Sequence, residues 1–147
     1  MVSTRKHGAI VERNGTSLQS PRVLIVEDEI LVSWSLGEAL KKAGFEVTVV
    51  ECGEKAIEKL YSTRFDLAIT DLKLPHIDGF EVAAAVKAFS PDVPIIMIST
   101  LDDQTSHEMA VKTHIDSFIE KPFDLNEIVS LAGHLIAQSK KCTARRT

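Results

Sequence analysis

Short apolar runs alternate with longer amphipathic stretches along this chain. "RVLIV" (22–26), "EVTVV" (46–50), "LAIT" (67–70), "IIMIS" (95–99) and "SFIE" (117–120) are rich in Val and Ile and predict strands. The first and fourth are apolar at consecutive positions, the pattern of strands covered on both faces in a parallel sheet. Between the strands, apolar residues recur every three or four positions. Val32, Leu36, Leu40 and Ala43 predict a helix over 30–43, and Ala56, Ile57 and Leu60 one over 53–62. Val82, Val86 and Phe89 predict a helix over 79–89, and Ile128, Leu131, Leu135 and Ile136 a last one over 124–138. A further helix is expected at about 105–113, where "TSHEMAVKTHID" shows little apolar stripe.

Punctuation agrees with these elements. Gly44 stands where the first helix should stop. "FSPDVP" interrupts the chain before the fourth strand. Asp78 is placed to cap the third helix, and Asp124 with Glu127 reads as a capping box for the last. Five β–α units in residues 22–137 predict an α/β fold, a five-stranded parallel sheet with helices on both faces. In such sheets the functional crevice lies outside the carboxyl ends of the strands. Those ends hold Glu27-Asp28-Glu29, Asp71, Ser99-Thr100 and Lys121-Pro122, with Glu51 and Cys52 at a strand on the sheet's edge.

Glu27, Asp28 and Asp71 would therefore meet as a carboxylate cluster, with Lys121 supplying one positive charge. Carboxylates that close raise one another's pKa, and the cluster persists only with a cation. Oxygen ligands with room for water suggest Mg2+. No His/Cys pair has zinc spacing, and no glycine-rich phosphate loop is present.

Composition narrows the picture further. The chain has 147 residues, 44% hydrophobic and 26% charged, which suits one soluble domain with a real core. No apolar window is long enough to span a membrane, and the N-terminus has no secretory apolar region. The two cysteines, Cys52 and Cys142, do not suggest a disulfide, so a reducing cytoplasm is expected. The formal charge of −4 is uneven: residues 1–21 carry +2 and residues 138–147 carry +4, leaving −10 for 22–137. An acidic body speaks against an intrinsic DNA-binding domain. The segment 1–21 is expected to be a poorly ordered extension and 138–147 a basic tail.

Four stretches, "VLIVEDE", "DLAITDLKLPHIDGFE", "VPIIMIST" and "FIEKPF", together resemble the receiver domain of two-component response regulators. The resemblance covers roughly 22–137, and "SWSLGEALKKAG" is similar to receivers of the nitrogen-regulator type. It implies a flavodoxin-like (βα)5 fold with strand order 2-1-3-4-5. It implies that Asp71 is the phospho-acceptor, taking a phosphoryl group from a histidine kinase or a histidine phosphotransfer protein. Mg2+ would be held by Glu27, Asp28, Asp71 and the backbone carbonyl of Lys73. Lys121 would pair with the phosphoryl group, and Pro122 would follow a cis peptide bond. Ser99 would bond a phosphoryl oxygen, and Phe118 would turn inward as the switch completes.

On this reading the chain is a stand-alone regulator, not an enzyme beyond its own phosphorylation and dephosphorylation. It would act on an unknown downstream protein, with a homodimer through the fourth helix, fifth strand and fifth helix as a further option. Two other readings remain: a phosphorylation-independent interaction module, and a haloacid-dehalogenase-like phosphatase. The latter would place a second aspartate where Lys73 stands.

Several residues have plainer readings. Glu29 reads as the acidic first turn of a helix. Asp102 and Asp103 read as a solvated loop, and His76, His107 and His114 as surface residues. Trp34 lies off the first helix's stripe, as a partner contact or a partly buried side chain. The family's usual Gly-Ala pair is replaced by His114-Ile115, which suggests an unusual output surface. Lys73 and Leu101 flank the site as bulky groups, and slow self-hydrolysis of the acyl phosphate is expected.

Overall fold

The structure is a computed structural model, and it describes residues 10–11, 17–18, 20–100 and 114–146. The five predicted strands are present: β1 (Arg22–Val26), β2 (Glu46–Val50), β3 (Leu67–Asp71), β4 (Ile95–Ser99) and β5 (Ser117–Glu120). All are parallel, in the order β2-β1-β3-β4-β5, the expected 2-1-3-4-5. Four helices are described: α1 (Ile30–Lys42), α2 (Gly53–Ser62), α3 (Gly79–Phe89) and α4 (Leu125–Arg146). The helix expected at 105–113 lies outside the described residues, as do His107, Asp102, Asp103 and Leu101.

The sheet separates two cores because successive strand residues point to opposite faces. Leu24, Val26, Ala68, Ile95 and Met97 face α2 and α3, where Ala56, Val82, Ala83 and Val86 meet them. Val23, Ile25, Leu67, Ile69, Ile96 and Ile98 face α1 and α4, against Leu36, Leu40, Ile128, Ala132 and Ile136. β4 is buried along its whole length and β1 from Val23 to Val26, which is why these two read as consecutive apolar positions.

The turn residues behave as their chemistry requires. Gly44 adopts φ 100, ending α1. Asp78 accepts from the Glu81 N–H at 3.0 Å while Glu81 accepts from the Asp78 N–H at 3.2 Å, a complete capping box. At α4 the expected box takes another form, since Asp124 accepts from the N–H of Asn126 at 2.8 Å.

Three boundaries differ from expectation. The last helix runs to Arg146, so residues 138–146 continue α4 where a separate tail was expected. Lys and Arg are good helix formers, so the pattern of apolar positions stops before the helix does. Within the N-terminal extension, Ile10–Val11 pairs antiparallel with Ser17–Leu18. Phe89, expected in the buried stripe of α3, is 42% exposed and meets Tyr61 edge-to-face at 4.9 Å.

His114 takes the left-handed conformation, φ 58, entering the last strand. Ile115 is half-buried against the α2/α3 core, alongside Phe118. The family's Gly-Ala pair is thus replaced by a residue in the left-handed region and a half-buried one, while the helix end before them lies outside the described residues.

Candidate functional site

The carboxyl ends of β1, β3, β4 and β5 open on one place. Backbone pairing continues just past each strand and fixes the residues there. Glu27 N–H donates to Val50 C=O at 3.1 Å, Leu72 N–H to Ile98 C=O at 2.8 Å, and Lys121 N–H to Ser99 C=O at 2.8 Å. Glu27, Asp71 and Ser99 are buried, while Asp28 is exposed.

Glu27, Asp28 and Asp71 each bring a carboxylate oxygen within 4.8 Å of the others. Lys121 stands against them. Its Nζ is 3.1 Å from Asp71 Oδ2, 3.1 Å from Glu29 Oε1 and 3.4 Å from Glu27 Oε1. The Lys121–Pro122 bond is cis.

The electrostatics follow from this crowding. Burial is the main cause that pushes Glu27 up, to about 7, with the charge of Asp71 adding to it. The Glu29 N–H, which donates to Glu27 Oε2 at 3.0 Å, and the Lys121 ammonium act in the other direction. For Lys121, burial opposes the charged form. Hydrogen bonds to Glu29 and Asp71, with the charges of Asp71 and Glu27, outweigh it and hold the ammonium above the usual lysine range.

The donor set suits a hard divalent cation. All three groups offer oxygen, and Glu27 Oε1 is buried without a hydrogen-bond partner. An orphaned buried carboxylate oxygen is costly, and an incoming cation would satisfy it. Lys73 lies two residues past Asp71, in the turn that leads to α3, with its side chain exposed.

That turn is tightly built. Gly79 N–H donates to Leu72 C=O at 2.7 Å, and a Cβ at Gly79 would run into the Asp71 carbonyl oxygen. The start of α3 is thereby pressed against the end of β3. Ile77 packs on Gly53 from the same turn, and His76 in it adopts φ 68.

Phe118 is half-buried and meets Phe80 edge-to-face, with centroids 6.5 Å apart. Trp34 is 63% exposed on α1, beside Ile30 and Leu31, which excludes the partly buried reading. Cys52 is a free thiol. No described helix is long and apolar enough to cross a membrane. Glu29, at the start of α1, accepts from the Lys121 ammonium at 3.1 Å, a contact across 92 positions of chain that its place at a helix start does not foretell.

A doubly wound parallel sheet with an acidic pocket and one lysine at its carboxyl edge defines the class of the molecule. The chain belongs to the response regulator receiver domains of two-component signalling, whose family profile matches residues 23–132.

Its relatives agree. It is 34% identical over 121 residues to the transcriptional regulatory protein PrrA of Mycobacterium leprae, covering 82% of this chain and 52% of that protein. It is 38% identical over 103 residues to a cyclic di-GMP phosphodiesterase of Thermotoga maritima, covering 70% of this chain and 27% of that one. The chain thus spans about half the length of PrrA or less of such relatives. Among solved structures, a CheY-like receiver domain protein of Methanospirillum hungatei superposes with TM-score 0.80 at 23% identity, over 84% of this chain and 98% of that one. The chemotaxis response regulator CheY4 of Vibrio cholerae gives 0.73 at 26%, over 80% and 99%.

Proposed function

We propose that this receiver takes a phosphoryl group on Asp71 from the phosphohistidine of a histidine kinase or phosphotransfer protein, and that the change alters its binding to a downstream protein. One observation carries the reading: the oxygens of Glu27, Asp28 and Asp71 lie within 4.8 Å of one another, with the Lys121 ammonium 3.1 Å from Asp71 Oδ2. In the transfer, an Asp71 carboxylate oxygen attacks phosphorus, the P–N bond to the histidine breaks, and the imidazole leaves with the bonding pair and takes up a proton. The product is an acyl phosphate.

Glu27, Asp28 and Asp71, with the backbone carbonyl of Lys73, would hold Mg2+. Such an ion supplies charge neutralisation at the transferring oxygens when bound. The protein's own part is placement. β3 holds the nucleophile rigid, and Lys121 sits where an added phosphoryl oxygen would meet it. Ser99, beside Lys121 at the end of β4, would donate its hydroxyl to a second oxygen. Phe118, half-buried against Phe80, is the side chain that would respond when the β4 end closes on the phosphoryl group. The chain is thus a phospho-acceptor that catalyses its own modification and its reversal.

Incubation with acetyl phosphate and Mg2+, followed by intact-mass measurement, tests this reading. A gain of one phosphoryl group, lost in Asp71→Ala, is expected. An unmodified wild-type mass with both acetyl phosphate and phosphoramidate would instead favour a receiver fold that binds its partner without phosphate.

A further inference from the structure

We propose that Glu29 is a resting-state restraint on Lys121, a positioning residue that must release the ammonium before Lys121 can serve a phosphoryl group. The inference rests on Asp71 being the phospho-acceptor and adds a residue to that site.

An ammonium has three N–H donors. Lys121 has three carboxylate neighbours, Asp71 at 3.1 Å, Glu29 at 3.1 Å and Glu27 at 3.4 Å. Two of its donors are therefore bonded, to Asp71 and Glu29, and the third side of the ammonium faces the charge of Glu27 without a hydrogen bond, so the group is already engaged before any phosphoryl group arrives. Asp71 and Glu27 are buried at the ends of β3 and β1 and cannot withdraw. The side chain of Glu29 is 63% exposed, so water can replace its contact.

Glu29 is also the N-cap of α1, yet its carboxylate makes no capping bond. A short Asp at this position would turn back on the first free N–H groups of the helix, whereas the longer Glu is not among the favoured caps and is free to reach elsewhere. Here the carboxylate reaches to Lys121 instead. Its backbone stays anchored meanwhile: the N–H donates to Glu27 Oε2 at 3.0 Å, and the C=O accepts from Ser33 N–H at 3.0 Å. The side chain can leave without disturbing α1.

Phosphoryl addition to Asp71 raises the negative charge opposite Lys121. The ammonium then turns to the phosphoryl oxygens, and Glu29 is left facing an anion. Glu29 therefore opposes the phosphorylated state twice, by competing for Lys121 and by repelling the added charge.

Glu29→Gln keeps the side chain's length and removes its charge. With saturating Mg2+, this variant is expected to bind beryllofluoride, a phosphoryl mimic, about threefold or more tightly than wild type, read by fluorine NMR titration. Glu29→Asp, which keeps the charge on a shorter arm, should fall between them. In metal-free protein at neutral pH, the side-chain nitrogen resonance of the Lys121 ammonium should shift in Glu29→Gln and its N–H hydrogens should exchange faster with water, changes that a purely structural role would not produce. Equal beryllofluoride affinity in wild type and Glu29→Gln, or an unmoved Lys121 ammonium resonance, would overturn the restraint. If wild type itself fails to bind beryllofluoride, the phospho-acceptor reading fails, and the metal-free Lys121 resonance still decides the Glu29 contact.

Discussion

A methyl group at Gly79 would meet the Asp71 carbonyl oxygen, with Leu72 Cα and Met97 Sδ both at 2.8 Å. Two of these three neighbours are backbone and cannot step aside. Gly79→Ala is therefore expected to destabilise the fold by about 1–3 kcal/mol, although alanine is the better helix former. Gly133, in α4, has nothing within 4 Å of its would-be Cβ. There the helix propensity decides, and Gly133→Ala should stabilise by about 0.5–1 kcal/mol. Urea unfolding of the two variants checks the contrast, and a stabilised Gly79→Ala would contradict the close packing of α3 on β3. The places of Asp28, Asp71 and Lys121 were legible in the sequence because each stands at, or within two residues of, the end of a run that had to be a strand. The contact of Glu29 with Lys121 was not legible, because both are long side chains whose meeting depends on how β1 and β5 are spaced across the sheet. The close approach at Gly79 was hidden for the same reason, since a glycine opening a helix carries no mark of what presses on it.

Glu27 gives the same scale a pH dependence. Its carboxyl is raised from 4.5 to about 7, chiefly by burial. The folded metal-free protein therefore binds a proton there that the unfolded chain has lost. This contribution to stability is present below about 4.5 and fades as pH rises to about 7, so metal-free protein should lose stability across that window. Mg2+ competes with the same proton. Glu27 is about one-tenth ionised at pH 6 and about nine-tenths at pH 8, so apparent Mg2+ affinity should rise about tenfold between them. Calorimetric titration at the two pH values measures this. A flat profile in wild type, or a steep one preserved in Glu27→Gln, would remove Glu27 from the metal site.

At the scale of elements, the turn from β3 to α3 links the acceptor strand to the helix behind it. Asp78 closes this turn through its reciprocal bonds with Glu81. Asp78→Ala should cost about 1 kcal/mol, measured by chemical unfolding, and no change would mean that the cap is held by the Gly79–Leu72 bond alone. The entry to β5 carries an opposite device. His114 sits at φ 58, a conformation that side chains resist. His114→Gly is expected to stabilise by about 0.5 kcal/mol, relief of strain being partly offset by the freedom glycine has when unfolded. Element types were readable because β-branched runs and helical stripes differ in period. Element ends were less so. α4 continues to Arg146 through polar residues that leave no apolar trace, and Phe89 keeps the period of its stripe but is the last residue of α3 and stays 42% exposed against Tyr61.

For the whole molecule, the sheet sorts charge by direction. Every parallel strand ends at the same edge, so carboxylates distant in sequence gather there by topology. The strand order itself was implied by resemblance, because periodicity shows that strands are covered and not which neighbour each one takes. Gathering Glu27, Asp28 and Asp71 at one edge stores repulsion in the folded state that the unfolded chain does not feel. Lys121 offsets part of it, and a divalent ion would offset more. Mg2+ should therefore stabilise the whole domain by linkage, by about 2.7 kcal/mol at a hundred times its dissociation constant. Differential scanning calorimetry across an Mg2+ series reads the shift in Tm, with an equal ionic strength of NaCl as the control for plain screening. Asp28→Asn and Asp71→Asn should lose the Mg2+-specific part and, because each removes one of the crowded charges, should melt higher than wild type without the ion. A shift matched by NaCl, or one retained in both variants, would mean that these carboxylates do not bind the ion, and the edge of the sheet would need another role.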